Sequence, residues 1–436
     1  MAEGSAAYTV RIDDAEQARR LVETGCSLLL LDVPPSTQFG INQQMFLVGP
    51  KFRGLKMLPP GPHFVYYSSK SRYGMDTSPT IGFFLHVRPS QVIVMRWDPQ
   101  EERIAKLNDS SEEERYTEGV RKNEFDPNLA PYDLHHHNTW RHLSNYVSAN
   151  VIDRLQPVGG DITVMAETDL LESGPQSSAE TKMHEHATQF QERMQKGATT
   201  SEGDDILKER VMGEAAMPAS ISETMGVAEK RKSHSSGRCF YTHLPRLIKR
   251  AGLVGSELTA LNIDKSQQLE FVLLNSYGGS EDLLLGELQF AFIAFLMGQS
   301  LEAFGQWKAI VSLFFSCEAA PLHSRTQLFT KFMEVMYWQL KQGLKEEGTS
   351  PAGPFLDESW LAEDMFLHFH MKVFFSSLKA ALSVDGALLY QARRLKKLAE
   401  TVLGWSLETE TEFNLDDEYA PVIQQLKERK KDLCST

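Results

Sequence analysis

The stretch "LLLGELQFAFIAFLMG" from Leu283 constrains this chain more than any other. It is too short to cross the ~30 Å hydrocarbon core of a bilayer as a helix, and it carries Glu287 and Gln289. It therefore reads as a helix buried inside a protein. Leu288, Ala291, Phe292, Phe295 and Leu296 fall at i, i+3, i+4, i+7 and i+8, a wide stripe facing a core. The pattern recurs at Phe329, Phe332, Met333, Met336, Tyr337 and Leu340, and again at Leu388, Ala392, Leu395, Ala399, Val402 and Leu403. "MFLHFHMKVFFSSL" is apolar nearly all round, which places that helix in the middle of a bundle. About six helices from Thr242 to Leu403 thus make a compact all-α unit with no clear repeat.

The first half has a different grammar. "CSLLLLDV", "HFVYYSS", "IGFFLHV" and "QVIVMRW" are short apolar runs bounded by Gly, Pro, Ser and Asp, the signature of strands. One amphipathic helix, "DDAEQARRLVETG", precedes them and stops at Gly25. After Asp98 the text reads as helical, in "DPQEERIAKL", in "SSEEERYTEGV" and in "LHHHNTWRHLSNYVSANVIDRL", which ends at Pro157. From Pro157 to about Arg238 the chain is rich in Gly, Ser, Thr, Glu and Gln, with few aromatics and no sustained period. Such a stretch buries too little apolar area to offset its ordering entropy, so it reads as a flexible, acidic linker. The expected organisation is α+β: a β-rich domain with flanking helices over 1–157, a linker over 158–238, an all-α domain over 239–407 and a tail over 408–436. Within the tail, "EFNLDDEYAPVI" has scattered apolar anchors without a helical period, which suits a segment docking in extended form or a frayed terminus.

The 436 residues carry a formal net charge of −13, the wrong sign for coating nucleic acid through its phosphates. Four cysteines lie far apart, without a CxxC, which suits a reducing cytosolic or nuclear compartment. The N-terminus lacks the basic and apolar regions of a signal peptide, so secretion is not expected.

Catalytic signals fail on inspection. "VGPKFRGLKMLPPGPHFVYYSS" spaces Gly49 and Gly54 like a P-loop, but Leu55 follows Gly54, Lys56 comes one place late and no hydroxyl follows. Pro59 and Pro60 also prevent the helix whose N-terminus would hold the phosphate, so a Gly/Pro turn between strands is expected. His135, His136 and His137 are consecutive, so on a helix they cannot converge on one ion with His142. His368 and His370, two apart, point away from each other, and Cys26 reads as a small buried residue before a strand. Gly-x-Ser-x-Gly is absent. The chain is read as a binding protein, not an enzyme, with no cofactor and no metal. "EKRKSHSSGR" sets three cations before Ser233, Ser235 and Ser236; it is a phosphorylation switch, a nuclear-import signal or merely solubilising charge.

Several of these stretches carry a family resemblance. "LLLLDVPPSTQFGIN", "FLVGPKFRGLKMLPPGPHFVYYSS" and "GFFLHVRPSQVIVMRWD", then "FDPNLAPY" and the Trp140 helix, resemble the N-terminal domain of the Aar-two family of splicing factors. "LLGELQFAFIAFLMGQSLEAFGQWKAIVSLFFSCEAA" resembles its helical domain and "DDEYAPVI" its tail. The resemblance implies a β-sandwich-like domain joined to an all-α, VHS-like domain. It implies an assembly chaperone of the U5 small nuclear ribonucleoprotein in pre-mRNA splicing, cytoplasmic and nuclear. Such a protein binds the RNase-H-like and Jab/MPN domains of the Prp-eight scaffold, delays the Brr-two helicase, and is released on phosphorylation. Direct RNA binding is then at most weak and no membrane is involved. Lys51, Phe52 and Arg53 would either shape the N-terminal domain or touch the partner, and Phe413, Leu415, Tyr419, Val422 and Ile423 would add the tail to it. Two other classes stay open on the residues alone: a general helical adaptor for peptide sorting, and a nucleotide- or metal-dependent hydrolase.

Overall fold

The computed structural model describes residues 15–69, 78–163, 238–245, 255–343 and 366–407. Helix α1 (Ala15–Thr24) stops at Gly25, whose N–H donates to Leu21 O at 2.9 Å. Ten strands follow: β1 (Cys26–Leu31), β2 (Gln38–Ile41), β3 (Gln44–Leu47), β4 (Gly54–Leu58), β5 (Gly61–Ser68), β6 (Ile81–Val87), β7 (Val92–Asp98), β8 (Arg103–Lys106), β9 (Ala130–Pro131) and β10 (Ile162–Thr163). They form two five-stranded sheets, in the orders β8-β7-β1-β4-β9 and β10-β6-β5-β2-β3. The second sheet is antiparallel throughout, whereas β1 runs parallel to β7 and antiparallel to β4.

Side-chain alternation explains the stacking. On β5, Val65 and Tyr67 face one way and Phe64 the other; on β6, Phe83 and Val87 oppose Phe84. The first set meets Leu28, Leu30, Leu55, Met95 and Trp97 of the first sheet in one core, which makes the two sheets a sandwich. Strand β1 is apolar at successive positions because both its faces are covered. Leu28 and Leu30 enter the sandwich, while Leu29 and Leu31 pack with Val94, Val120 and Leu129 beneath α2 (Ser110–Arg121).

The segment "DPQEERIAKL" is not a helix. Asp98 ends β7, Glu102 takes a φ of 51° in the turn, and Arg103–Lys106 return as β8. The expected Trp140 helix is two short ones, α3 (His137–Ser144) and α4 (Ala149–Leu155), with Ser148 capping the second by accepting from Val151 N at 3.3 Å.

Seven further helices are described: α5 (Gly255–Ile263), α6 (Ser266–Tyr277), α7 (Glu281–Gly298), α8 (Leu301–Phe315), α9 (Thr326–Gly343), α10 (Phe366–Ala380) and α11 (Gly386–Leu403). Helix α7 is the opening apolar stretch and is buried without interruption from Leu284 to Gly298. Among the described helices it is α7, not α10, that occupies the centre. Phe369 and Val373 of α10 are 62% and 41% exposed, so one side of that helix faces outward although it is apolar. The architecture is α+β, a β-sheet half followed by a helical half.

The two halves share one hydrophobic core. Phe64, Phe84 and Ile162 on the outer face of the second sheet, with Trp140, Leu143, Val151 and Leu155 of α3 and α4, join the same cluster as α6 to α11. The Phe84 and Phe290 rings stack at 4.2 Å.

Candidate functional site

The P-loop-like turn is structural at Gly54 and Lys56. Gly54 opens β4 at a φ of 126°, and a Cβ there would collide with the Leu28 carbonyl oxygen of β1. Lys56 is engaged by Asp126, whose Oδ1 accepts from Nζ at 2.7 Å. Phe52 points inward against Phe39 and Phe46 (ring centroids 5.6 and 5.3 Å), whereas Lys51 and Arg53 are exposed. Asn128 secures their backbone: its Nδ2 donates to Lys51 O at 2.8 Å and its carbonyl accepts from Arg53 N at 2.9 Å.

The histidines are dispersed. His136 precedes α3 as its N-cap, and His137 lies beside Tyr132, with burial and then Arg141 pushing its imidazole down to about 4. His142 stacks on Trp338, and His370 lies 3.2 Å from Ser312 Oγ. Among the described residues no three His, Cys, Asp or Glu side chains come together as a metal site, and no helix is long and apolar enough to cross a membrane. Cys26 is fully buried, and that burial raises its thiol pKa. Ser233, Ser235, Ser236, Phe413, Leu415, Tyr419, Val422 and Ile423 lie outside the described residues.

Among the described residues, a buried polar network lies at the junction of the two halves. It is built on the two buried polar residues of α7, Glu287 and Gln289. Gln289 Oε1 accepts from Tyr146 N at 2.8 Å, and its Nε2 donates to His142 O at 3.0 Å and to Asn145 Oδ1 at 2.7 Å. The α3–α4 loop is thereby held on the helical half by a side chain fully removed from water. Two residues earlier, Glu287 accepts from Thr242 N (2.7 Å), Thr242 Oγ1 (2.8 Å), Tyr277 OH (3.0 Å) and Gln306 Nε2 (2.9 Å). Four donors around one buried carboxylate supply what water would have supplied. Burial and the Glu287 charge push the Tyr277 phenol up, so it remains a donor at neutral pH. Arg154 of α4 donates to Thr242 Oγ1 at 2.7 Å and lies over the Tyr277 ring at 4.7 Å. Residues 238–245 are thus pinned from both sides, with the Phe240 N–H on Leu155 O at 2.8 Å.

A two-part architecture joined through a buried polar junction invites comparison with known chains. A profile described as the AAR2 N-terminal domain matches residues 24–157, and one described as the AAR2 C-terminal repeat region matches 241–408. The chain belongs to the AAR2 family. It is 31% identical over 418 residues to the Protein AAR2 homolog of Homo sapiens, spanning 95% of this chain and 97% of the human one. The homolog of Mus musculus is 29% identical over the same length, and that of Caenorhabditis elegans 29% over 400 residues, 91% of this chain and 97% of the nematode's. Membership of the AAR2 family supports a splicing-related assembly factor.

The two profiles bracket the junction, yet the junction itself was missed by sequence reasoning. Glu287 and Gln289 entered there only as residues unsuited to a bilayer. Two strongly polar side chains inside an apolar helix must find partners somewhere, and that was the available signal.

Proposed function

We propose that this AAR2-family chain is a non-catalytic assembly factor of the U5 small nuclear ribonucleoprotein. It binds the RNase-H-like and Jab/MPN domains of the Prp-eight scaffold and thereby delays the Brr-two helicase. One observation carries the reading. Both AAR2 profiles match in order, over 24–157 and 241–408, and the relatives are covered over 97% of their own length, so the whole family architecture is present. The same proposal includes a VHS-like helical half, release by phosphate on Ser233, Ser235 or Ser236, and residence in cytoplasm and nucleus. Exposed Lys51 and Arg53 are candidate contacts on the sandwich, and Phe413, Leu415, Tyr419, Val422 and Ile423 on the tail.

The test is co-purification with a recombinant C-terminal fragment of Prp-eight, with and without the residues beyond Leu407. A stable complex that excludes the Brr-two helicase supports the assembly-factor reading, and its loss on truncation assigns the tail to the interface. No complex at low salt rejects this partner.

A further inference from the structure

On a chain of net charge −13, one surface stands out as cationic. It straddles the two halves. Arg141 and His142 come from α3, Tyr337, Trp338 and Lys341 from α9, and Arg394 from α11. The His142 and Trp338 rings stack at 4.1 Å with an interplanar angle of 6°. The Arg394 guanidinium sits 3.7 Å over the Tyr337 ring and 5.6 Å from that of Trp338; Lys341 Nζ lies 4.9 Å over Trp338. Burial holds the His142 imidazole below its ordinary range, Glu334 opposes that, and Arg141, Arg394 and Lys341 reinforce it, so all three cations bear on one ring. Among the described residues none of the three is ion-paired with a carboxylate, and Glu334, 3.8 Å from His142 Nδ1, is the acidic group nearest the centre. Three cations beside one carboxylate leave an excess of positive charge whose repulsion an anionic ligand would relieve.

We propose that the patch formed by Arg141, His142, Tyr337, Trp338, Lys341 and Arg394 docks an acidic segment of a protein partner. Charge complementarity fixes the sign of the ligand. The aromatic rings decide its class. Single-stranded nucleic acid is held by open ring faces on which bases stack. Here one face of Trp338 is taken by His142, and the cations lie over the rings. What remains available is N–H donors on cationic heads seated over aromatic rings, which suits carboxylates. This inference stands whichever partner is assigned to the rest of the protein.

The test is fluorescence anisotropy of the full chain with a labelled decaglutamate peptide at low salt, with labelled decauridylate alongside. The expected result is saturable peptide binding that weakens on adding salt. Lys341→Glu with Arg394→Glu should weaken it by about tenfold or more, since ~1.4 kcal/mol is a factor of ten. Arg141→Glu, at an exposed position, should weaken it in the same direction if the paired substitutions disturb packing, and Arg121→Glu on α2 should change it little. An equal loss with Arg121→Glu, or none with Arg141→Glu, overturns the proposal. So does decauridylate binding more tightly than the peptide with the same sensitivity. In the full chain, Glu408, Glu410 and Glu412→Gln tests the remaining occupant. If it tightens peptide binding tenfold, the chain's own tail fills the patch and the external partner is rejected.

Discussion

Gly286→Ala should destabilise this protein, although helix propensity alone predicts the reverse. Gly286 lies where α7 passes the α3–α4 segment. A Cβ there would sit 2.5 Å from the Tyr146 carbonyl oxygen and 2.7 Å from Val151 Cγ2. One of these obstacles is backbone, so rotating a side chain cannot relieve the clash. The helix has to withdraw by roughly 1 Å to reach ordinary contact. Gln289, less than a turn away, holds the same loop through bonds of 2.8, 3.0 and 2.7 Å. A withdrawal of that size carries them past about 3.5 Å, where they cease to be hydrogen bonds. At about 1 kcal/mol net for each, about 3 kcal/mol is lost. Replacing glycine inside a helix returns about 1 kcal/mol. The net expectation is a loss of about 2 kcal/mol. Gly305→Ala in α8 supplies the matched control. Nothing lies within 4 Å of its added Cβ, so the propensity term should appear alone, as a gain of about 0.5–1 kcal/mol. Urea denaturation followed by circular dichroism would compare both variants with the parent. Opposite signs are expected. If Gly286→Ala stabilises the chain as Gly305→Ala does, the close approach of α7 to Tyr146 is wrong, and with it the account of Gln289.

Burial pushes the His63 imidazole from 6.5 down to about 4, so between those values the unfolded chain binds the extra proton. Stability should be full above pH 6.5 and fall towards pH 4 by about 3 kcal/mol from this residue; His63→Gln should flatten that part of a denaturation profile taken against pH. Thr242→Val keeps the shape but removes the donor to Glu287 and the acceptor for Arg154, and should cost about 1–3 kcal/mol by the same denaturation assay. Gly54→Ala meets the Leu28 carbonyl at a positive φ and should lower the melting temperature of the sandwich by far more than Lys56→Ala, which breaks only a partly exposed ion pair.

What was legible beforehand follows from how local each signal is. "CSLLLLDV" read as a strand, and β1 is that strand; that both its faces are covered depends on α2 and the second sheet, which the run itself does not name. Gly25 as a stop and the stripes at Leu288, Phe329 and Leu388 were equally readable, because a helix face is a pattern within one segment. Gly54 showed its mismatch with a P-loop but not its purpose, which depends on a strand more than twenty residues earlier. The Gln289 bond to Tyr146 spans 143 residues of sequence, and no period encodes such a distance. Residues Asp98–Leu107 misled because a capping Asp followed by Glu residues suits a helix start and an exposed turn alike; pairing with β7 decided for the strand. For α10, composition suggested a central place, but centrality depends on how many neighbours surround a helix, which composition does not contain.

The shared core changes how the family's two parts should be understood. Detached from the helices, the sandwich would present Phe64, Phe84 and Ile162 to water, and α7 would lose its stack with Phe84 and its bonds to the α3–α4 loop. Each buried aromatic contributes roughly 1.5–3 kcal/mol of transfer free energy, so separating the halves costs far more than the thermal energy available to a hinge. The matches over 24–157 and 241–408 therefore mark units of sequence, not bodies that move independently. That rigidity has a functional consequence. Arg141 on α3 keeps a fixed relation to Lys341 and Arg394 because Gln289 and the shared core hold α3 to α7 while the His142–Trp338 stack holds it to α9. A protein that recognises its partner through surfaces drawn from both halves needs that lock before the partner arrives, since ordering two loose halves on binding would subtract from affinity.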